Sequence, residues 1–147
     1  MPPRSPLDTL RSLAQKDVDD AALRLGEVRR AREQADEQLT TLLSYQNEYR
    51  HQLDLTLSGG ITSHCWNNYH QFLTTLEQAI EQHRQLLNQW NQRLELALQH
   101  WRDKQKRLSA FDTLHTRAAS AALLAENRLD QKRMDEFAQR ASQRNRE

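Results

Sequence analysis

The side chains that could perform chemistry are six histidines, a single cysteine and one pair of residues with metal-ligand spacing. Glu48 and His51 have the Glu-x-x-His spacing that carboxylate-bridged metal sites place on one face of a helix. Such a site also needs a second copy of that spacing and two further glutamates on facing helices, and the sequence offers no such set. We therefore predict no metal ion, and we expect His83 and His115 to be polar residues tolerated inside a helix interface.

The sequence also lacks the residue patterns needed for nucleophilic catalysis or for a phosphate-binding loop. Cys65 has a basic neighbour in His64, but no Cys-His-Asn arrangement can be assembled around it. As the only cysteine it cannot form an intrachain disulfide, which fits a reducing compartment. Gly26, Gly59 and Gly60 form no phosphate-binding loop. We predict a protein that is not an enzyme and that binds no cofactor.

Composition limits the partners and the location. Lys and Arg number 21 against 20 Asp and Glu, for a formal net charge of +1, so charge does not favour nucleic acid or an anionic membrane as a partner. No apolar run is long enough for a signal peptide or a membrane span. We expect a cytoplasmic protein without direct membrane insertion. Because only 37% of the residues are hydrophobic, we expect them to lie along an extended interface rather than in a globular core.

One turn divides the elements that position these residues. All three prolines precede Leu7, and Gly59 and Gly60 can end a helix at no steric cost. Thr62 or Ser63 can then cap the next helix. We predict a single coiled-coil domain over residues 1–147, with a helix over about 7–57, a turn over about 58–62, a helix over about 63–140 and a frayed tail over 141–147.

Apolar residues recur with the 3,4 spacing of a coiled coil. In the second helix this spacing runs from Trp66 to Leu129 and is interrupted only at His83, Lys104 and His115. The first helix repeats the pattern more weakly. A heptad pattern of this length predicts an all-α fold, in which two long helices form an antiparallel coiled-coil hairpin and the second helix overhangs the first at the C-terminus.

A turn centred on Ile61 sets the register of the two helices. It places Ala21 opposite Trp101 and Ala35 opposite Leu87, so that large side chains face small ones. The apolar layers near the turn are expected to stabilise the hairpin by roughly 1.5 to 3 kcal/mol for each large side chain. About fifty residues of helix span about 75 Å, which predicts a rod with little concave surface.

Polar residues interrupt the interface at specific layers. The register places Arg32 across Trp90, and we expect the arginine stem to pack there with its guanidinium near the ring face. Arg11, Lys104 and His115 lie toward the open end of the hairpin, which should therefore fray first.

The two flanks of the helix interface differ in charge. A charged flank carries Leu43, Arg50, Leu57, His70, Glu77 and Arg84. An uncharged flank carries Gln38, Tyr45, Cys65, Phe72, Ala79 and Leu86. An exposed, uncharged surface with aromatic side chains is typical of a protein-docking patch. The alternatives are that this flank packs against a third helix or against another copy of the hairpin.

The C-terminal part of the second helix has no partner in the first. The register places Leu7 opposite His115, so the residues after 115 extend beyond the pair. A lone helix of this length is marginal in water, so we expect its apolar residues to await a partner. These residues are Leu123, Leu124, Leu129, Met134 and Phe137. An ordinary frayed helix is the alternative for the last ten residues.

Several segments together resemble one known family. They are Leu7–Leu10, Lys16–Ala22, Tyr45–Arg50, Trp66, Tyr69–Phe72, Leu76–Arg84 and Ala121–Arg140. Over nearly the whole chain the sequence resembles the flagellar export protein FliJ of enteric bacteria. The first six residues, with their three prolines, depart from the family pattern.

The resemblance implies an antiparallel coiled coil, like the central stalk of rotary ATPases, with two protein partners. One is the hexameric flagellar export ATPase, FliI, and the other is the linker of the export gate protein, FlhA. The ATPase set that it implies is Leu7, Leu10, Arg11, Leu123, Leu124, Leu129, Met134 and Phe137. The gate set that it implies is Gln38, Leu42, Tyr45, Tyr49, Phe72, Leu76, Ala79 and His83.

The leading hypothesis from the resemblance is a non-enzymatic stalk in flagellar type III protein export. It would link the ATPase ring to the export gate, assist the cycling of flagellar export chaperones and associate peripherally with the inner membrane at the flagellar base. One alternative is a general export chaperone or scaffold that binds unfolded substrates. Another is the analogous rod of a virulence-associated secretion system.

Overall fold

The computed structural model describes residues 5–60 and 62–146. In these residues the chain forms two helices, α1 (Pro6–Ser58) and α2 (Ser63–Arg144), which confirms the predicted all-α hairpin. The predicted helix end near residue 140 lies inside α2. Ile61, the predicted centre of the turn, and Glu147, the end of the predicted tail, lie outside the described residues, as do residues 1–4. The prediction of a single domain stays a prediction.

Side-chain oxygens cap the start of both helices. The Oγ of Ser5 accepts a hydrogen bond from the backbone N–H of Asp8 at 3.2 Å, and Pro6 occupies the first helical position, where its missing N–H costs nothing. At α2 the Oγ1 of Thr62 accepts a hydrogen bond from the backbone N–H of Cys65 at 3.3 Å. Of the two predicted caps for α2, the structure therefore uses Thr62.

A left-handed glycine ends the first helix. Gly60 has φ +77°, a conformation that L side chains rarely adopt, and its N–H donates to the carbonyl of Leu57 at 3.1 Å. This explains why the break lies at the glycine pair and nowhere else along the heptad pattern.

The described chain divides into two compact units. The first, Asp19–Arg102, holds most of the core: Ala21, Leu25, Val28, Ala35, Leu39, Leu53, Leu76 and Ile80 are buried. All of these residues occupy predicted interface positions. Leu39, Leu76 and Ile80 pack as one cluster, with Leu42, Leu43 and Leu87 against it. The buried side chains of this unit therefore all lie on the face that the heptad pattern predicts.

Two sequence predictions for this unit differ from the structure. Trp66 is exposed, because it lies in the layer beside the turn and its ring stacks on His70 with the centroids 6.1 Å apart. The Nε of Arg32 donates to the Oδ1 of Asn91 at 2.9 Å, and the guanidinium over the Trp90 ring belongs to Arg93, 4.7 Å from the centroid. Arg93 reaches that ring from one turn further along the same helix, whereas Arg32 finds a hydrogen-bond acceptor across the interface.

The second unit pairs the residues up to Val18 with those from Asp103 onward. Ala14 and Val18 are buried here. Toward the start of α1, Arg11 Nε forms an ion pair with Asp112 Oδ1 at 2.6 Å, and Asp8 Oδ1 lies 3.2 Å from His115 Nδ1. All four side chains are about half exposed, so each pair contributes about 0 to 1 kcal/mol.

The C-terminal part of α2 continues past Asp112 and His115. Every described residue from Thr116 onward is exposed, which confirms that the second helix overhangs the first. Within the described residues, neither helix contains a stretch apolar enough to cross a membrane.

Candidate protein-docking surfaces

An aromatic cluster lies where the uncharged flank meets the helix interface. The ring of Tyr49 lies 4.4 Å from that of Phe72 and 5.2 Å from that of Tyr69, with tilted planes in both pairs. Such tilted contacts are favourable beyond the area they bury. Burial, and to a lesser extent the nearby Tyr69, raise the pKa of Tyr49. The phenol therefore stays neutral and can donate a hydrogen bond throughout the physiological range of pH.

The residues of the gate set fall into three groups by exposure. The exposed members are Gln38, Tyr45 and Phe72. The half-buried members are Leu42, Tyr49, Ala79 and His83. Leu76 is buried in the core cluster, so it supports the surface from beneath. All of these residues belong to the Asp19–Arg102 unit.

Tyr45 and Phe72 present the largest apolar surfaces of the gate set. Tyr45 is 57% exposed and Phe72 is 49% exposed. The ring of Phe72 packs against that of Tyr49 on one side and is open to solvent on the other. A half-exposed aromatic ring held by its neighbours gives a partner a large contact area at a low entropic cost.

A surface hollow of about 430 Å³ adjoins this surface on α1. Its lining is Gln34, Glu37, Gln38, Thr41, Leu42 and His83. Three of these residues belong to the gate set. Gln34, Glu37 and Thr41 were not predicted, since they occupy outward positions of the first helix. The signal that could have identified them is helical proximity, because Gln34 and Thr41 each lie about one turn from Gln38, and Glu37 lies one turn from Thr41.

His83 brings an unpaired nitrogen to this hollow. Its Nδ1 is buried and has no hydrogen-bond partner within the described part of the chain. A buried polar atom without a partner costs about 1 to 3 kcal/mol, so this position is not optimised for packing alone. The hollow can accept an apolar side chain of a partner, with polar groups at its edge to orient it.

The ATPase set occupies the other unit and does not form one patch. Leu7 is half-buried, Leu10 is exposed, and Arg11 is engaged with Asp112. The α1 contacts in this unit reach Asp112 and His115 on α2. The structure does not bring the α1 members beside the five apolar members that follow residue 116.

Those five C-terminal members are all exposed and lie on more than one face of α2. They are Leu123, Leu124, Leu129, Met134 and Phe137. Successive residues of an α-helix are rotated by about 100°, so Leu123, Met134 and Phe137 share one face. Leu124 and Leu129 point away from it on either side. Phe137 is 76% exposed, which makes this face the most open apolar surface of its unit.

The described chain offers no cluster of metal-binding side chains. No three His, Cys, Asp or Glu side chains of the described chain lie close enough together to hold an ion. The features that stand out from the geometry are two apolar surfaces, one in each unit, and neither contains a catalytic arrangement.

Comparison with known proteins identifies the family. The family described as "Flagellar FliJ protein" matches residues 3–147. The chain is 61% identical over 138 residues to the flagellar FliJ protein of Escherichia coli (strain K12), covering 94% of each chain. It is 59% identical over 138 residues to the flagellar FliJ protein of Salmonella typhi, again covering 94% of each. The flagellar FliJ protein of Buchnera aphidicola subsp. Schizaphis graminum (strain Sg) is 25% identical over 130 residues, or 88% of this chain and 86% of that protein. The match spans almost the full chain, and the protein therefore belongs to the FliJ family of flagellar proteins.

Proposed function

We propose that the protein is a non-enzymatic component of the flagellar type III export apparatus. In this role it is a stalk that links the hexameric export ATPase FliI to the export gate protein FlhA and assists the cycling of export chaperones. Family membership and the presence of two separate apolar surfaces support this proposal. It acts in the cytoplasm, and its gate contact holds it at the inner membrane beneath the flagellum.

The gate contact rests mainly on one observation. Tyr45 and Phe72 are half exposed on a flank that carries no charge in this region, and Phe72 is held in place by Tyr49. Buried aromatic anchors commonly carry most of the free energy of a protein interface. The hollow beside Leu42 and His83 gives a partner side chain a place to enter. Leu76 contributes by packing beneath these residues.

The ATPase contact rests on the exposed apolar face of α2. Leu123, Met134 and Phe137 line one side of a helix that α1 does not cover. A helix of this kind gains stability when its apolar face is buried against a partner. Binding to the ATPase would therefore order the segment and bury the face in the same step.

One pull-down experiment tests both contacts. Purified FliI and the cytoplasmic region of FlhA with its linker are offered separately to three forms of the chain. The first is unchanged, the second carries Tyr45→Ala with Phe72→Ala, and the third carries Leu123→Ala with Met134→Ala and Phe137→Ala. We expect the Tyr45/Phe72 variant to lose FlhA and keep FliI. We expect the Leu123/Met134/Phe137 variant to lose FliI and keep FlhA. Alanine preserves helix propensity, so the helical content should not change.

A control variant separates binding from a general loss of apolar surface. Leu23→Ala with Leu96→Ala removes two leucines that are 69% and 71% exposed and lie outside both sets. This variant should bind both partners normally. Retention of FlhA by the Tyr45/Phe72 variant would refute the proposed gate contact. Capture of unfolded export substrates by the flank in the absence of FliI would instead favour a general export chaperone.

A further inference from the structure

The uncharged flank ends at a pair of arginines. Flank positions recur every seven residues, so Gln38 and Ala79 are followed by Ala31 and Leu86, and then by Arg24 and Arg93. The hydrogen bond between Arg32 and Asn91 joins the two helices close to the layer in which the register places Arg32 opposite Trp90. The apolar surface therefore extends one layer beyond the gate set and stops at positive charge.

The two arginines differ in how they are held. The guanidinium of Arg93 lies over the face of Trp90, 4.7 Å from the ring centroid. Within the described chain Arg93 has no carboxylate within ion-pair distance. Arg24 pairs loosely with Glu27 at 3.6 Å, and both of those side chains are largely exposed. The stacked guanidinium is thus oriented in advance while its N–H groups stay available to an acceptor.

The charged flank shows the contrasting arrangement. There Arg50 Nη2 lies 3.3 Å from Glu77 Oε1 across the interface, so a positive charge is already matched by a negative one within the protein. Arg93 has an aromatic ring in place of such a partner. The positive end of the uncharged flank is therefore the better complement for a negative group from outside.

We infer that the uncharged flank binds a partner segment with apolar side chains along Tyr45, Phe72 and Leu86 and with carboxylates at the end that meets Arg93. This inference rests on the proposed gate contact and specifies its chemistry and direction. From Tyr45 to Arg24 is three heptads of helix, or about 30 Å. A partner segment of about 20 helical residues or about 10 extended residues spans that distance. The carboxylates fix which way round the segment lies, because the other end of the flank carries no charge.

Binding of the FlhA cytoplasmic region with its linker, at low, intermediate and high NaCl, tests this inference. Arg93→Glu should weaken binding by about tenfold at low salt and reduce the salt dependence of the dissociation constant. Arg93→Lys keeps the charge and should retain most of the affinity. The matched control is Arg29→Glu, which also reverses an exposed positive charge. Arg29 lies in the same layer as Arg93 but on the charged flank. This variant should bind like the unchanged chain.

The outcomes distinguish this inference from the proposed function. If Arg93→Glu binds FlhA with unchanged affinity and unchanged salt dependence while Tyr45→Ala with Phe72→Ala does not bind, the acidic end is refuted and the gate contact stands. If none of these variants alters binding, the gate contact itself fails. An equal loss for Arg29→Glu and Arg93→Glu also overturns the inference, since net charge rather than position would then govern binding. Circular dichroism of each variant checks that the helices are intact.

Discussion

His83 is a polar residue at a position where packing alone favours an apolar one. It occupies an interface position of the heptad, where leucine is the usual residue, and its Nδ1 is buried without a hydrogen-bond partner in the described chain. The same side chain lines the hollow beside Leu42. Unfavourable groups of this kind concentrate at functional sites, where other contacts offset their cost.

Replacing this histidine with leucine should separate the two effects. His83→Leu removes the unpaired nitrogen and adds apolar contacts, so we expect the free energy of unfolding to rise by about 1 kcal/mol. If the proposed gate contact uses this hollow, binding to FlhA should fall at the same time, because the hollow loses the imidazole nitrogen that a partner group could hydrogen-bond. Urea unfolding followed by circular dichroism measures the first effect, and a pull-down measures the second. The control is His51→Leu, which changes an exposed histidine. Unchanged stability in His83→Leu would show that water satisfies the nitrogen.

Within α1, heptad position separates leucines that stabilise the fold from leucines that contribute little to it. Leu39 is 8% exposed and packs with Leu76 and Ile80, whereas Leu23 is 69% exposed. Truncating a buried leucine removes its transfer free energy and leaves a cavity. The same truncation at an exposed position removes little and slightly favours the helix.

A pair of alanine variants tests this difference. Leu39→Ala should lower the free energy of unfolding by about 2 to 4 kcal/mol, and Leu23→Ala should change it by less than about 0.5 kcal/mol. Urea unfolding monitored by the helical signal at 222 nm compares the two proteins directly. Equal losses would mean that the heptad register is wrong around Leu39.

The sequence was a good guide wherever a regular pattern decided the outcome. The 3,4 spacing identified the buried positions from Ala14 through Ile80, and the glycine pair located the end of α1. It did not predict that Arg93 rather than Arg32 covers Trp90, or that a hollow lies beside His83. Those features depend on which rotamers the long side chains adopt and on how the side chains at outward positions of α1 pack beside the interface. A linear pattern does not contain that information.

Buried side chains are unevenly distributed along the described chain. The Asp19–Arg102 unit contains most of the buried side chains, and the described residues after Thr116 contain none. Local opening costs little where few apolar contacts are made. The helix after residue 116 is therefore held by its own backbone hydrogen bonds, and binding of a partner to it would add the missing burial.

Amide hydrogen exchange followed by mass spectrometry tests this distribution. In the isolated chain we expect peptides from residues 117–144 to exchange fast and peptides from residues 35–53 and 73–90 to exchange slowest, because the latter contain the core cluster. Adding hexameric FliI should slow exchange in 117–144 and leave the core peptides unchanged. The Leu123/Met134/Phe137 alanine variant is the control, and FliI should give it no such protection. The contradicting result would be slow exchange of residues 117–144 in the isolated chain at high protein concentration that becomes fast on dilution. It would mean that a second copy of the chain already covers the exposed face.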